Sequence, residues 1–224
     1  MRRSQRKEIG YAMKKRMTIT DKITKELRED IINGIYYSDS ILTELEISKK
    51  FGGSKTPARE ALGALCAEGL LERLPNKGYL IKRYSLQELD ALLEFRSILE
   101  NAIIELAIKR ATDQEIQKLE AFCDDIDVLD DEELANQCVL LNREFHIRLA
   151  MLSKNPFLVS TMANIMDKVR VAMAFDTNTE RLMAGHREIL EAIRSRDYHE
   201  GMRWANRFLR YLPNSLIGRF MDES

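Results

Sequence analysis

The chain is poor in the residues that most often carry chemistry. Its 224 residues include three cysteines, three histidines, one tryptophan, four prolines and ten glycines. Cys66, Cys123 and Cys138 are widely spaced and form no CxxC. They exclude a disulfide framework and read as reduced core thiols of a cytoplasmic protein. No apolar run approaches membrane-spanning length, and the basic N-terminus lacks the apolar stretch of a signal peptide. A phosphate-cradling loop, a nucleotide fingerprint and a supported nucleophile are all missing. With so few histidines there is little from which to build a metalloenzyme, so a helical metal-dependent enzyme stands only as a remote alternative. The scarcity of proline and glycine leaves room for long helices.

What is present is divided by charge. Residues 1–84 hold 18 Lys and Arg against 11 Asp and Glu, whereas residues 85–224 hold 17 against 25. A basic front and an acidic back suit a polyanion-binding module joined to one with another task. Residues 1–17 alone carry seven Lys and Arg against one Glu. They read either as a basic arm that adds phosphate contacts or as a solvated tail, with Met13 or Met17 as alternative starts.

The stretch from Glu44 to Tyr79 organises the front half. It reads as a helix from Glu44 to Phe51, a turn at Gly52-Gly53, and a second helix capped by Ser54 with Pro57 in its first turn. Ala58, Ala61, Leu62, Leu65 and Cys66 give the second helix an apolar face, and Gly69 ends it. Leu70–Arg73 and Tyr79–Lys82 read as strands joined by Pro75-Asn76-Lys77-Gly78. Upstream, Thr20 opens a helix from Asp21 to Asn33 with Ile23, Leu27, Ile31 and Ile32 as its stripe, and an extended link covers Ile35–Leu42. The pattern is that of a winged helix-turn-helix. Ser54 and Thr56 sit at a helix N-terminus that favours phosphate. Lys55 and Arg59, four apart, share the face that enters a major groove, where Arg59 can meet a guanine or a phosphate bidentately. Lys77 and Gly78 form the wing tip.

These residues resemble the DNA-binding domain of the GntR family of bacterial transcription regulators. The resemblance is carried by Ile31-Ile32-Asn33-Gly34, by Ser54-Lys55-Thr56-Pro57-Ala58-Arg59-Glu60-Ala61-Leu62, by Glu68-Gly69-Leu70-Leu71 and by Lys77-Gly78-Tyr79. It implies sequence-specific binding to double-stranded operator DNA. Three positions depart from the family pattern: Leu45 where a basic residue is frequent, Gly53 where a β-branched one is usual, and Lys55 in place of arginine.

From Ser85 the pattern turns to long helices. Ser85-Leu86-Gln87-Glu88 and Thr112-Asp113-Gln114-Glu115 are capping boxes. The expected helices run to Arg110, from Ile116 to Leu129, from Asp130 to Leu152, from Phe157 to Phe175, from Arg181 to Arg194 and from His199 to Leu212. On the first of them Leu89, Leu92, Leu93, Ile98, Leu99, Ile103, Leu106 and Ala107 are expected to be buried. Six helices with short links make an antiparallel bundle. This half resembles the FCD ligand-sensing domain of the FadR-type branch, through Glu94-Phe95-Arg96, Glu100, Phe145-His146, Asn155-Pro156, His186 and Asp197.

That resemblance implies a divalent metal of the zinc, nickel or manganese type, held by one Asp and three His. The matching positions are Asn142, His146, His186 and Phe208, so an amide and a phenyl ring replace two ligands. The other readings are an effector pocket lined by Arg96, Asn142, His146 and His186, with Arg96 gripping a carboxylate, and a bundle that only dimerises. Arg96 is also placed to pair with Glu100 at i+4.

The expectation is a mainly α chain with three parts. They are a basic arm at 1–19, a winged helix-turn-helix with a small β-ribbon at 20–84, and a six-helix sensing and dimerisation domain at 85–224. It is read as a cytoplasmic homodimeric repressor with no membrane association, whose operator binding responds to a small organic acid.

Overall fold

In the computed structural model, residues 17–36, 40–172 and 185–207 are described. Among them are nine helices and one three-stranded antiparallel sheet. The first helix, α1, spans Ile19–Ile32 and starts at Thr18, not at the expected Thr20. The reason is reciprocal capping. Thr18 accepts from the Asp21 amide at 3.0 Å, and Asp21 accepts from the Thr18 amide at 2.9 Å. Thr20 turns its hydroxyl to Glu60 instead, at 3.0 Å.

A strand, β1 (Ile41–Leu42), replaces part of the expected link. It is followed by α2 (Glu44–Lys50) and α3 (Lys55–Ala67). Ser54 occupies the N-cap of α3, yet its side chain makes no capping hydrogen bond. Pro57 stands three residues on, where the amide that a cap would accept from is missing. The wing strands are β2 (Leu71–Leu74) and β3 (Gly78–Ile81), each about one residue from the expected span. The sheet order is β1-β3-β2, with Leu42 opposite Tyr79. Gly78 has φ +133°, and a Cβ there would lie 2.6 Å from the Leu42 carbonyl oxygen. Close approach of β1 therefore demands glycine at the wing tip. Ile23, Leu27, Leu62, Leu65 and Ile81 share the core of this half.

The second half contains α4 (Leu86–Arg110), α5 (Asp113–Asp127), α6 (Asp131–Leu152), α7 (Pro156–Ala172), α8 (His186–Arg194) and α9 (Tyr198–Arg207). Both expected capping boxes form, at Ser85 with Glu88 and at Thr112 with Glu115. Ser153, Lys154 and Asn155 separate α6 from α7, Pro156 takes the first position of α7, and α8 follows Gly185. The remainder of the expected fourth, fifth and sixth helices falls on residues 173–184 and 208–212, outside the described residues. The core gathers Ile103, Ile104, Phe145, Leu149, Leu190 and Ile193. Helix α9 lies so close to α4 that a Cβ on Gly201 would be 2.8 Å from Ile104.

One expectation for α4 is corrected. Ile98 is 58% exposed and Phe95 is 43% exposed. The inner positions beside them are held by Arg96, Ser97 and Glu100, all buried. Because α4 is apolar on both sides, helical spacing alone placed Ile98 on the wrong face. Among the described residues no helix is long and apolar enough to cross a membrane.

Candidate functional site

Two places gather the expected site residues. The first is the outer face of α3 and the wing. Ser54, Lys55, Thr56, Arg59 and Lys77 are all exposed, and Gly78 is half-buried against β1. The uncapped start of α3 leaves the backbone amides of Lys55 and Thr56 and the Ser54 hydroxyl together at the positive end of a helix, which suits a phosphate. Arg59 is held by a residue to which the sequence reading gave no role. Its Nε donates to Glu44 Oε1 at 2.7 Å and its Nη2 to Glu44 Oε2 at 2.8 Å. That bond first, then the attraction of the opposite charge, raises the Arg59 pKa; the same partner holds the Glu44 carboxyl below its usual range.

The second place is the interior of the bundle, where Arg96, Asn142, His146 and His186 meet. Arg96 comes from α4, Asn142 and His146 from successive turns of α6, and His186 from the start of α8. All four are at most 5% exposed, as is Glu100. Arg96 Nη2 lies 2.6 Å from His146 Nε2. Arg96 Nε is 3.9 Å from Glu100 Oε2. His146 Nδ1 is 2.7 Å from Glu100 Oε1, in close contact but not aligned as a hydrogen bond. His186 Nε2 lies 3.1 Å from Asn142 Oδ1, and its ring stacks on Phe145 with centroids 3.8 Å apart. His186 Nδ1 is buried with no hydrogen-bond partner among the described residues.

Burial, then the Arg96 charge, pushes His146 below the ordinary histidine range, against the pull of Glu100. Burial, with His146 and Arg96 beside it, pushes His186 well below that range. For Glu100 burial acts to raise the pKa, while the positive charge of Arg96 acts against it and favours the carboxylate. The centre is thus a buried guanidinium–carboxylate pair with two neutral imidazoles.

A divalent metal does not fit this donor set. The Asn142 oxygen that would ligate is already bonded to His186, and the His146 nitrogen faces a guanidinium. A cation placed there would be repelled by Arg96, and its expected ligands Asn142, His146 and His186 are all neutral. Among the described residues no group of three or more His, Cys, Asp or Glu could hold a metal. Phe208, the fourth matching position, lies outside the described residues.

Side chains that the sequence reading passed over link the two places. Arg143, next to Asn142 on α6, pairs with the buried Asp167 of α7. Further along α7, Arg170 bonds the Ile32 carbonyl, and Val171 packs on the core of the first half. Tyr84 ties the start of the bundle to the end of α3 by donating to the Gly69 carbonyl at 2.8 Å. None of these carries a local sequence signal, because each joins residues far apart in the chain.

Comparison with known proteins agrees with this arrangement. Residues 19–81 match the family described as bacterial regulatory proteins, gntR family, and residues 91–211 match the FCD domain. The chain is 38% identical over 141 residues to the Nta operon transcriptional regulator of Aminobacter aminovorans, covering 63% of this chain and 67% of that protein. It is 26% identical over 207 residues to the gluconate operon transcriptional repressor of Bacillus licheniformis, covering 87% and 84%. Among solved structures, E. coli McbR/YncC matches with a TM-score of 0.71 at 19% identity, over 92% of this chain and all of that one, a likeness of fold.

Proposed function

The chain belongs to the GntR family of bacterial regulatory proteins, with an FCD domain behind its DNA-binding half, and from that premise we propose that its bundle binds a small organic acid that changes its hold on an operator. It is a DNA-binding transcriptional regulator and not an enzyme. The observation that carries the effector reading is the buried polar centre itself. A soluble fold rarely keeps an arginine, a glutamate, two histidines and an amide in its core without use, because each costs desolvation. Arg96 gives a carboxylate a partner of opposite charge, in competition with Glu100. His186 Nδ1 and the Asn142 amide supply neutral contacts for hydroxyl or carbonyl groups. The relative named as the gluconate operon transcriptional repressor supports repression as the sign.

On the DNA side, Ser54, Lys55 and Thr56 meet phosphate at the α3 N-terminus, Arg59 enters the major groove, and Lys77 with Gly78 follows the adjoining backbone. The exposed Phe95 and Ile98 on the long helix α4 support a homodimer, which would set two reading heads on a two-fold operator in the cytoplasm. Occupancy of the centre would shift α6 against α7 and so move the reading head that α7 touches. Calorimetric titration with a panel of hydroxy, keto and dicarboxylic acids tests the reading. At least one acid should bind the wild type and lose most of its affinity to His186→Ala. Binding by none of them would count against an organic acid.

A further inference from the structure

The guanidinium of Arg59 has two usable edges. The side edge presents Nε–H and one Nη2–H; the end edge presents an Nη1–H and the other Nη2–H. Glu44 takes the side edge, through the bonds of 2.7 and 2.8 Å from Nε and Nη2. The end edge, which can meet guanine N7 and O6 or two phosphate oxygens, has no hydrogen-bond partner among the described residues. The exposures agree: the Arg59 side chain is 62% exposed and that of Glu44 only 22%. Glu44 is itself anchored, since it sits in the first turn of α2, where a negative charge is favoured. Its carboxylate also lies near Tyr79 of the wing, which helps to keep it ionised.

We propose that Glu44 is a positioning residue for DNA recognition, which fixes the Arg59 side chain across the corner of α2 and α3 so that its end edge faces the operator. The rotamer freedom of a long arginine is then lost before DNA arrives and not at the moment of binding. A carboxylate at a DNA-facing surface can otherwise accept from a cytosine amine or simply repel phosphate; with both Glu44 oxygens taken by Arg59, repulsion is the alternative that remains. The two roles predict opposite signs. As a plain repulsive charge, Glu44 would weaken binding to every duplex equally. As a positioning residue it strengthens binding to the right duplex more than it weakens the rest.

The inference rests on Arg59 meeting DNA, which Arg59→Ala tests separately. The probes are the best duplex enriched by the full-length wild type from a random-sequence pool and a scrambled version of it, at one salt concentration. Arg59→Ala should weaken the enriched duplex strongly; unchanged affinity for both would overturn the Arg59 reading itself. Glu44→Gln removes the charge and should bind the scrambled duplex as tightly as wild type or tighter, while discrimination between the duplexes falls about tenfold. Glu44→Asp keeps the charge but shortens the arm, so it should lose discrimination with scrambled binding unchanged. If Glu44→Gln strengthens both duplexes in parallel, or if both variants keep wild-type discrimination, Glu44 does not position Arg59. Matched circular dichroism melts would separate either result from a folding defect.

Discussion

Arg170 of α7 donates from Nε to the carbonyl oxygen of Ile32, 3.0 Å away, at the end of α1. The preceding carbonyls of α1 have local partners: Glu29, Asp30 and Ile31 accept from Asn33, Ile35 and Gly34. Ile32 is therefore a helix-end acceptor satisfied from the other half of the molecule. Arg170→Ala should cost about 1–2 kcal/mol, the worth of a charged hydrogen bond in a partly buried place. It should also speed amide exchange around residues 29–35 more than elsewhere. Exchange measured by mass spectrometry checks both the site and its local character.

The Arg143–Asp167 pair predicts an asymmetry. Asp167 is buried, and burial raises its pKa despite the bond from Arg143. Arg143 keeps about a quarter of its side chain in solvent. Removing Arg143 strands a carboxylate in the interior, whereas removing Asp167 leaves a cation that can still reach water. Arg143→Ala should therefore cost about 3 kcal/mol and Asp167→Ala about 1–2 kcal/mol in urea unfolding. Equal costs would mean that the pair is not seated as described.

The histidines set a pH dependence. In the folded chain both His146 and His186 lie below the ordinary histidine value. In the unfolded chain they titrate near about 6.5. Below that pH the unfolded state takes up protons that the folded state refuses, so stability is complete above the window and falls as the pH is lowered. Each ring that stays neutral adds a slope of about 1.4 kcal/mol per pH unit. Melting from pH 7.5 to 5.5 should show the decline, and His186→Gln should flatten it. A variant with the wild-type slope would contradict a neutral buried His186.

The exposed face of α4 predicts assembly. Phe95→Glu with Ile98→Glu should leave folding intact and shift sedimentation from dimer to monomer, because both side chains already face outward. Operator affinity should fall with it, since two linked heads bind more tightly than one. A double variant that still sediments as a dimer would place the interface elsewhere.

Much of this architecture was legible because it is local. The glycine turn, the apolar face of α3 and the capping boxes at Ser85 and Thr112 depend on neighbours within a few residues, and all were found at about their expected places. Helical spacing also put Asn142 and His146 on one face of α6, and the family resemblance implied that His186 and Arg96 join them. What escaped depends on distant partners. Strand β1 exists only through its pairing with β3. Glu44 acquires its role only when α2 and α3 fold together. The engagement of His146 by Arg96 and of Asn142 by His186, which removes the metal donors, follows from how α4, α6 and α8 cross. Ile98 misled because a helix with apolar residues on both its buried and its exposed side gives no inward signature.

Coupling between the buried centre and the reading head is what the proposed regulation requires. The direct measurement is the affinity of the full-length protein for its enriched duplex by fluorescence anisotropy, with and without the acid that calorimetry identifies. The wild type should change its Kd by at least about fivefold, the lower end of ordinary coupling energies. His186→Ala should bind the duplex normally and lose that change. A wild-type Kd that stays the same when the acid is saturating would mean that the centre does not control the reading head.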